Sequence, residues 1–147
     1  MESILISACL TGVECKYCGG SNALPCETLD ALKKKYRLVP ICPEVDGGLP
    51  TPREPSERIG DRVMSRSGRD VTAEYRRGAE LALSHATENA CRIAVLKEKS
   101  PSCGKELIYD GSFTGTLIER DGVTAELLTE HGIAVYGESE VSALLLE

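Results

Sequence analysis

The sequence predicts an α/β fold: one domain spanning residues 1–147, a mainly parallel four-stranded sheet flanked by helices, and a small hairpin insertion. Three observations carry that expectation. Short apolar runs bounded by turn residues, SILISA, LVPI, RIAVL and IAVY, have the length and composition of strands. Stretches of helical length lie between them, and strands alternating with helices imply a parallel sheet with helical crossovers. At 147 residues the chain fits one domain, able to bury roughly 70% of its unfolded surface without disulfides.

The first strand, 3–8, stops at Cys9 and leads into a loop rich in Gly, Cys and Asn that ends near Pro25. CETLDALKKKYR then reads as an amphipathic helix with Leu29, Leu32 and Tyr36 on one face. LVPI, 38–41, is the second strand despite its proline, and it stops at Cys42. PEVDGGLPTPREPSERIGD, interrupted by Pro43, Pro50, Pro52 and Pro55, is expected to hold no regular structure. A loop of that length is more often functional or mobile than idle. RVMSRSGRDVT resembles a small hairpin closed around Ser67 and Gly68. Residues 70–90 form a long helix capped by Asp70 or Thr72, with Ala79, Leu81, Ala82 and Ala86 toward the core. RIAVL, 92–96, is the third strand, followed by a cysteine turn and IYDGSFTG. VTAELLTEHG is a helix ended by Gly132, IAVY the fourth strand, and SEVSALLLE a closing helix.

Charge and composition narrow the partners. A net charge of −6 repels a nucleic-acid backbone, and one Phe with no Trp argues against a stacking platform for single strands. The basic run Lys33, Lys34, Lys35 and Arg37 reads as a solvated helix face. The amino terminus carries an acid where a signal peptide carries basic residues. No stretch reaches the roughly 20 apolar residues that span a bilayer, so no membrane or DNA partner is expected and the cytoplasm is the expected location.

Seven cysteines in a reducing compartment point to metal binding or thiol chemistry more than to disulfides. Strands one, two and three each run into one of them: Cys9, Cys42 and, after a short extension in EKSPSCGKE, Cys103. The carboxyl ends of parallel strands share one sheet edge, where open α/β folds bind their ligands. Cys9, Cys42 and Cys103 therefore converge. Three thiolates with no fourth protein ligand favour zinc, copper(I) or an iron–sulfur cluster, and structural zinc normally takes four. His85 and His131 lie in or at the end of helices away from that edge and read as surface or satisfied histidines.

Cys15 and Cys18 form a CxxC spacing with Cys26 nearby, but no second CxxC follows and the motif does not open a helix after a strand. They read as loop thiols or an incidental metal clip. Cys91, beside strand three, reads as a small buried apolar residue.

The segments SACLTG, CPEVDGGLPTPREP, GRDVT, LKEKSPSCG and IYDGSFTGT…DGVTAELL, in that order over about residues 3 to 137, resemble a bacterial family long catalogued as a domain of unknown function. Its members include the thiouracil desulfidases. The resemblance implies a [4Fe-4S] cluster held by Cys9, Cys42 and Cys103, and removal of sulfur from a small thiolated substrate. A free base or nucleoside is favoured over tRNA by the acidic charge. Glu44, two residues from Cys42, is the expected acid/base, since partial desolvation raises a carboxylate pKa toward a useful range. Ser100 and Ser102, flanking Pro101, are expected to position the substrate or bond a cluster sulfur. GGLPTPR is expected to wall the pocket, with Arg53 bracing that loop more than meeting a substrate carbonyl.

The chain departs from those relatives where Cys18 follows Tyr17 in place of an acid, which bears on substrate preference and sets extra thiols near the pocket. It is also expected to lack the second, C-terminal domain of some relatives. Two rival readings remain. One is a non-catalytic iron–sulfur or zinc protein acting as a redox or metal sensor, its site completed by Cys15, Cys18 or Cys26. The other is an enzyme with a single nucleophilic cysteine. No edge cysteine is followed by an arginine six positions on, which argues against a phosphatase-like version.

Overall fold

The computed structural model describes residues 1–146. Its strands are β1 (Ser3–Ser7), β2 (Arg37–Ile41), β3 (Ser56–Ile59), β4 (Arg62–Ser65), β5 (Ile93–Leu96), β6 (Leu107–Tyr109), β7 (Leu117–Glu119) and β8 (Ala134–Gly137). Its helices are α1 (Cys26–Lys35), α2 (Pro43–Asp46), α3 (Thr72–Glu88), α4 (Val123–Glu130) and α5 (Val141–Leu145). The last residue of the expected closing helix, Glu147, lies outside the described residues.

Alternation along two strands builds the layers. Ile4 and Ile6 of β1, with Val95 of β5, meet Leu32, Tyr36, Val141 and Leu144, the apolar faces of α1 and α5. Leu5, Ala94 and Leu96 point the other way, onto Ala82, Ala86, Ala125 and Leu128 of α3 and α4. Side chains two apart share a sheet face, so continuous apolar strands bury both faces and need helices on both. The result is a helix–sheet–helix sandwich.

The four-stranded sheet has the order β2-β1-β5-β8 with every pair parallel, as the sequence predicts. Ser3–Ser7 pairs with Arg37–Ile41 in direct register. Pro40, which donates nothing to a ladder, is accommodated because β2 is an edge strand.

Several elements differ from expectation. The proline-rich segment does contain regular structure. Pro43 occupies the first position of α2, where a missing N–H costs nothing, and the same stretch later supplies β3. A hairpin is added before the expected one: β3 and β4 pair antiparallel around Gly60 and Asp61. The chain turns back again at Ser67 and Gly68, where the Ser65 N–H donates to the Arg69 carbonyl, the Val71 N–H to the Val63 carbonyl, and Met64 bridges Asp70. A second hairpin, β6–β7, stands where no strand was expected; each arm is three residues, too short for a periodic signal. Leu81 is exposed on α3, whose buried stripe is Tyr75, Gly78, Ala79, Ala82 and Ala86. Asp70 Oδ1 does accept the Thr72 N–H at 2.9 Å, while the Thr72 hydroxyl accepts the Val63 N–H.

Gly78 lets α3 approach α2 closely. A Cβ there would collide with the Pro43 carbonyl oxygen, and one at Gly47 would collide with the Glu74 carbonyl. Backbone atoms cannot yield as a flexible side chain does. Gly78→Ala is therefore expected to destabilise the fold by about 2 kcal/mol despite alanine's better helix propensity, measured by urea unfolding. A neutral or stabilising result would contradict this packing.

Candidate active site

A cavity of about 510 Å³ opens at the carboxyl edge of the sheet. From β1 the chain crosses to β2 on one side and later reaches β5 on the other, so β1 and β5 flank the point where strand order reverses. Crevices of open parallel sheets form there. Ser7 and Cys9 enter after β1, Cys42 and Glu44 after β2, and Lys97 through Cys103 after β5.

All three predicted thiols line this cavity. Cys9 sits in a 3-10 turn, Ala8–Thr11, and burial pushes its thiol up, opposed by a hydrogen bond from the Asn22 side chain. Cys42 is half-buried at the start of α2. Cys103 is buried, and burial pushes its thiol up to about 12. The Ser7 hydroxyl opposes that rise by hydrogen bonding, and it also accepts the Lys97 N–H at 2.9 Å. Cys103 feels the charges of both Cys9 and Cys42, so the three share one electrostatic neighbourhood.

Among the described residues, no three His, Cys, Asp or Glu side chains stand close enough to hold one metal ion. A tetrahedral zinc needs sulfurs about 3.8 Å apart, given Zn–S bonds near 2.3 Å. A polynuclear cluster makes a different demand, because each cysteine binds a different iron and the sulfurs stand further apart. Three thiols around one cavity fit the second demand.

Cys15 is a fourth thiol at the site. It is buried, lines the cavity, and hydrogen-bonds the Cys42 side chain; its carbonyl also takes a long contact of 3.9 Å from Cys42 Sγ. Burial first, then Cys42 and Cys9, pushes its thiol up to about 12. Cys18 and Cys26 are exposed and do not line the cavity, while Cys91 is buried in the core as expected. His85 and His131 are exposed and do not line the cavity.

Glu44 lies at the cavity and is held by two donors. Arg53 Nε reaches Glu44 Oε1 at 3.2 Å, and the Tyr75 hydroxyl donates to the same oxygen at 2.8 Å. Burial and the facing carboxylate raise Tyr75 well above the usual phenol range, so it stays a donor. No described residue hydrogen-bonds Oε2, which is left for water or substrate. Arg53 braces the loop as expected: its other donors reach the Pro50 carbonyl at 3.0 Å, the Thr51 hydroxyl at 3.0 Å and the Cys15 carbonyl at 2.8 Å.

The two serines separate. Ser100 lines the cavity, and its Oγ accepts the N–H groups of Ser102 and Cys103, both at 3.1 Å. Ser102 is fully buried and does not line the cavity; its hydroxyl pairs with that of Thr124 at 2.8 Å. Pro101 between them turns Ser102 onto α4, so it fastens the cysteine turn and touches no substrate. Sequence reasoning missed Ser7, Asn22 and Tyr75 at this site. Ser7 ends a predicted strand at the binding edge, which is a usable signal; Asn22 and Tyr75 reach the cavity only through tertiary folding.

Fold and site together define an open α/β protein with a cysteine-lined crevice at its topological switch point. The 2-thiouracil desulfurase family pattern matches residues 4–140. The chain belongs to that family. It is 42% identical over 152 residues to YbbK, an uncharacterised protein of Bacillus subtilis (strain 168), covering 97% of this chain and 99% of that one. It is also similar to a solved structure of the [4Fe-4S]-dependent thiouracil desulfidase TudS, with a TM-score of 0.94 and 49% identity over 99% of this chain and 97% of that chain.

Burial orders the reactivity of the thiols. A thiol at about 12 is ionised to roughly one part in ten thousand at pH 8, and only the thiolate alkylates. In metal-free, reduced protein, iodoacetamide is therefore expected to label exposed Cys18 and Cys26 about a hundredfold faster than Cys103, followed by mass spectrometry. Equal labelling of Cys103 would mean that its turn opens readily.

Proposed function

We propose that this chain is a [4Fe-4S]-dependent desulfidase of the cytoplasm, removing sulfur from a thiouracil-like base or a similar small thiocarbonyl. The observation that carries the reading is the meeting of Cys9, Cys42 and Cys103 in one cavity with Glu44, in a chain 49% identical to a thiouracil desulfidase. Cys9, Cys42 and Cys103 would hold the cluster, leaving one iron without a protein ligand. When bound, the cluster supplies a Lewis-acidic, sulfur-seeking site for the thiocarbonyl.

The chain's own groups supply the rest. Glu44 Oε2 takes a proton from the water that adds to the thiocarbonyl carbon, while Tyr75 and Arg53 fix Oε1. The same proton returns as sulfur departs. One water enters, one hydrogen sulfide leaves, C=S becomes C=O, and no electrons are exchanged. Ser100 Oγ accepts two backbone N–H groups, so its own hydrogen is free to donate to the substrate. Its turn lies within the cavity wall. The net charge of −6 favours a free base or nucleoside over tRNA.

The closeness of Cys15 to Cys42 favours a second reading, an iron–sulfur sensor whose cluster is closed by four thiolates. Anaerobic reconstitution with iron and sulfide separates the two. The enzyme reading expects about four irons per chain and conversion of 2- or 4-thiouracil to uracil. Serine at Cys9, Cys42 or Cys103 abolishes both, whereas Cys15→Ser keeps the iron. Loss of iron in Cys15→Ser, with no turnover in the native protein, would establish the sensor.

Glu44→Gln tests the acid/base assignment. It is expected to keep the cluster spectrum and lower kcat by about a hundredfold or more. An unchanged kcat would move the proton transfer elsewhere.

A further inference from the structure

The loop joining β6 to β7 is held more tightly than a surface turn requires. Glu57 of β3 is buried and lines the cavity, yet it makes no ion pair among the described residues. Its Oε1 instead accepts two backbone N–H groups from that loop, Gly111 at 3.0 Å and Phe113 at 3.1 Å. Gly111 has φ +97° and a Cβ there would collide with the Ile59 side chain, so glycine alone allows the loop to lie this close to β3. Asp110 closes the turn by accepting the Ser112 N–H at 2.9 Å.

These contacts hold one side chain in an unusual state. Phe113 has φ +57°, a left-handed conformation that is rare for an aromatic residue. It is the chain's single Phe, half-buried at the cavity, with the Arg66 guanidinium 5.7 Å from its ring centroid. Tyr17 and Tyr109 also border the cavity, but neither has positive φ.

The polar groups of the site leave one property of a substrate unread. Cysteines, Glu44 and Ser100 can recognise a thiocarbonyl and its neighbouring N–H, which an acyclic thiourea offers as well as a pyrimidine does. Contact with an extended face distinguishes a ring from so small a molecule. We propose that Phe113 is the ring-recognition residue of this cavity, stacking on the face of the base, and that Glu57 is the positioning residue holding it there. This inference rests on the desulfidase reading for its substrate class.

The test compares Phe113→Leu, Phe113→Tyr, Glu57→Gln and Glu57→Ala in cluster-loaded protein, with iron content and thermal unfolding as controls. Leucine keeps apolar bulk in the same backbone and removes the flat face. Phe113→Leu is expected to raise KM for 2-thiouracil about tenfold with kcat within about twofold, while Phe113→Tyr stays near native. Glu57→Gln retains a carbonyl acceptor and stays near native; Glu57→Ala follows Phe113→Leu. An unchanged KM in an active Phe113→Leu protein, or a fall in kcat alone, overturns the proposal and leaves the desulfidase reading standing. Calorimetric binding of uracil, which needs no sulfur chemistry, covers the other case. If the native protein lacks turnover but binds uracil about tenfold more tightly than Phe113→Leu does, ring recognition stands without that reaction. If native and variant bind alike, or neither binds, it is overturned.

Discussion

One buried guanidinium ties the walls of the cavity together. The Arg53 side chain is 6% exposed, and a charge so removed from water must be fully hydrogen-bonded to be tolerated. Its donors go to the Cys15 carbonyl from the loop after β1, to Glu44 on α2 after β2, and to Pro50 and Thr51 of its own loop. Its backbone N–H adds a bond of 2.6 Å to the Tyr17 carbonyl. The loop after β1 and the distant α2 segment with its following loop thus keep fixed separations, and the positions of Cys15 and Glu44 depend on a residue that performs no chemistry. Removing it would strand Glu44 as well as loosen the loops, because breaking a buried pair leaves the partner uncompensated.

The sheet and the convergence of the cysteines were legible because both follow from local pattern plus one geometric rule. Apolar runs near five residues long read as strands, and parallel strands all present their carboxyl ends to one edge. That rule alone brought Cys9, Cys42 and Cys103 together. It failed where short-range signals compete. Prolines read as breakers, yet Pro43 begins a helix, since the first turn needs no donor from it. Ser67–Gly68 does turn the chain, yet Gly60–Asp61 closes a hairpin of its own, because β3, hidden among prolines, pairs with β4 across it. Leu81 was placed inside by its residue type, but the stripe that packs on α4 is mostly alanine, which lets the two helices approach.

The site was legible in its three edge cysteines and less so in their surroundings. Tyr75 is an ordinary helix residue in sequence, and only the fold carries its hydroxyl across thirty-one positions to Glu44. Cys15 belongs to a CxxC spacing that suggested a pair with Cys18; the structure instead turns Cys15 inward to Cys42 and leaves Cys18 exposed. Ser102 failed as a substrate contact for a related reason. Neighbours of a proline in a tight turn point in different directions, so adjacency to Cys103 does not mean adjacency to the cavity.

The chain keeps its buried thiols neutral. Burial raises Cys9, Cys15 and Cys103, and the nearby cations do little to reverse it. Arg53 directs its donors to carbonyl oxygens and to Glu44, and Lys97, whose charge lowers Cys9, is matched by Glu138 at 2.9 Å. Hydrogen bonds from Ser7 and Asn22 favour the thiolates of Cys103 and Cys9 directly. Holding Cys9 and Cys103 as thiolates is therefore favoured by a cationic centre brought from outside, and binding it releases protons. The proposed cluster meets that demand. The protons it displaces link its capture to pH, and that capture tightens as pH rises.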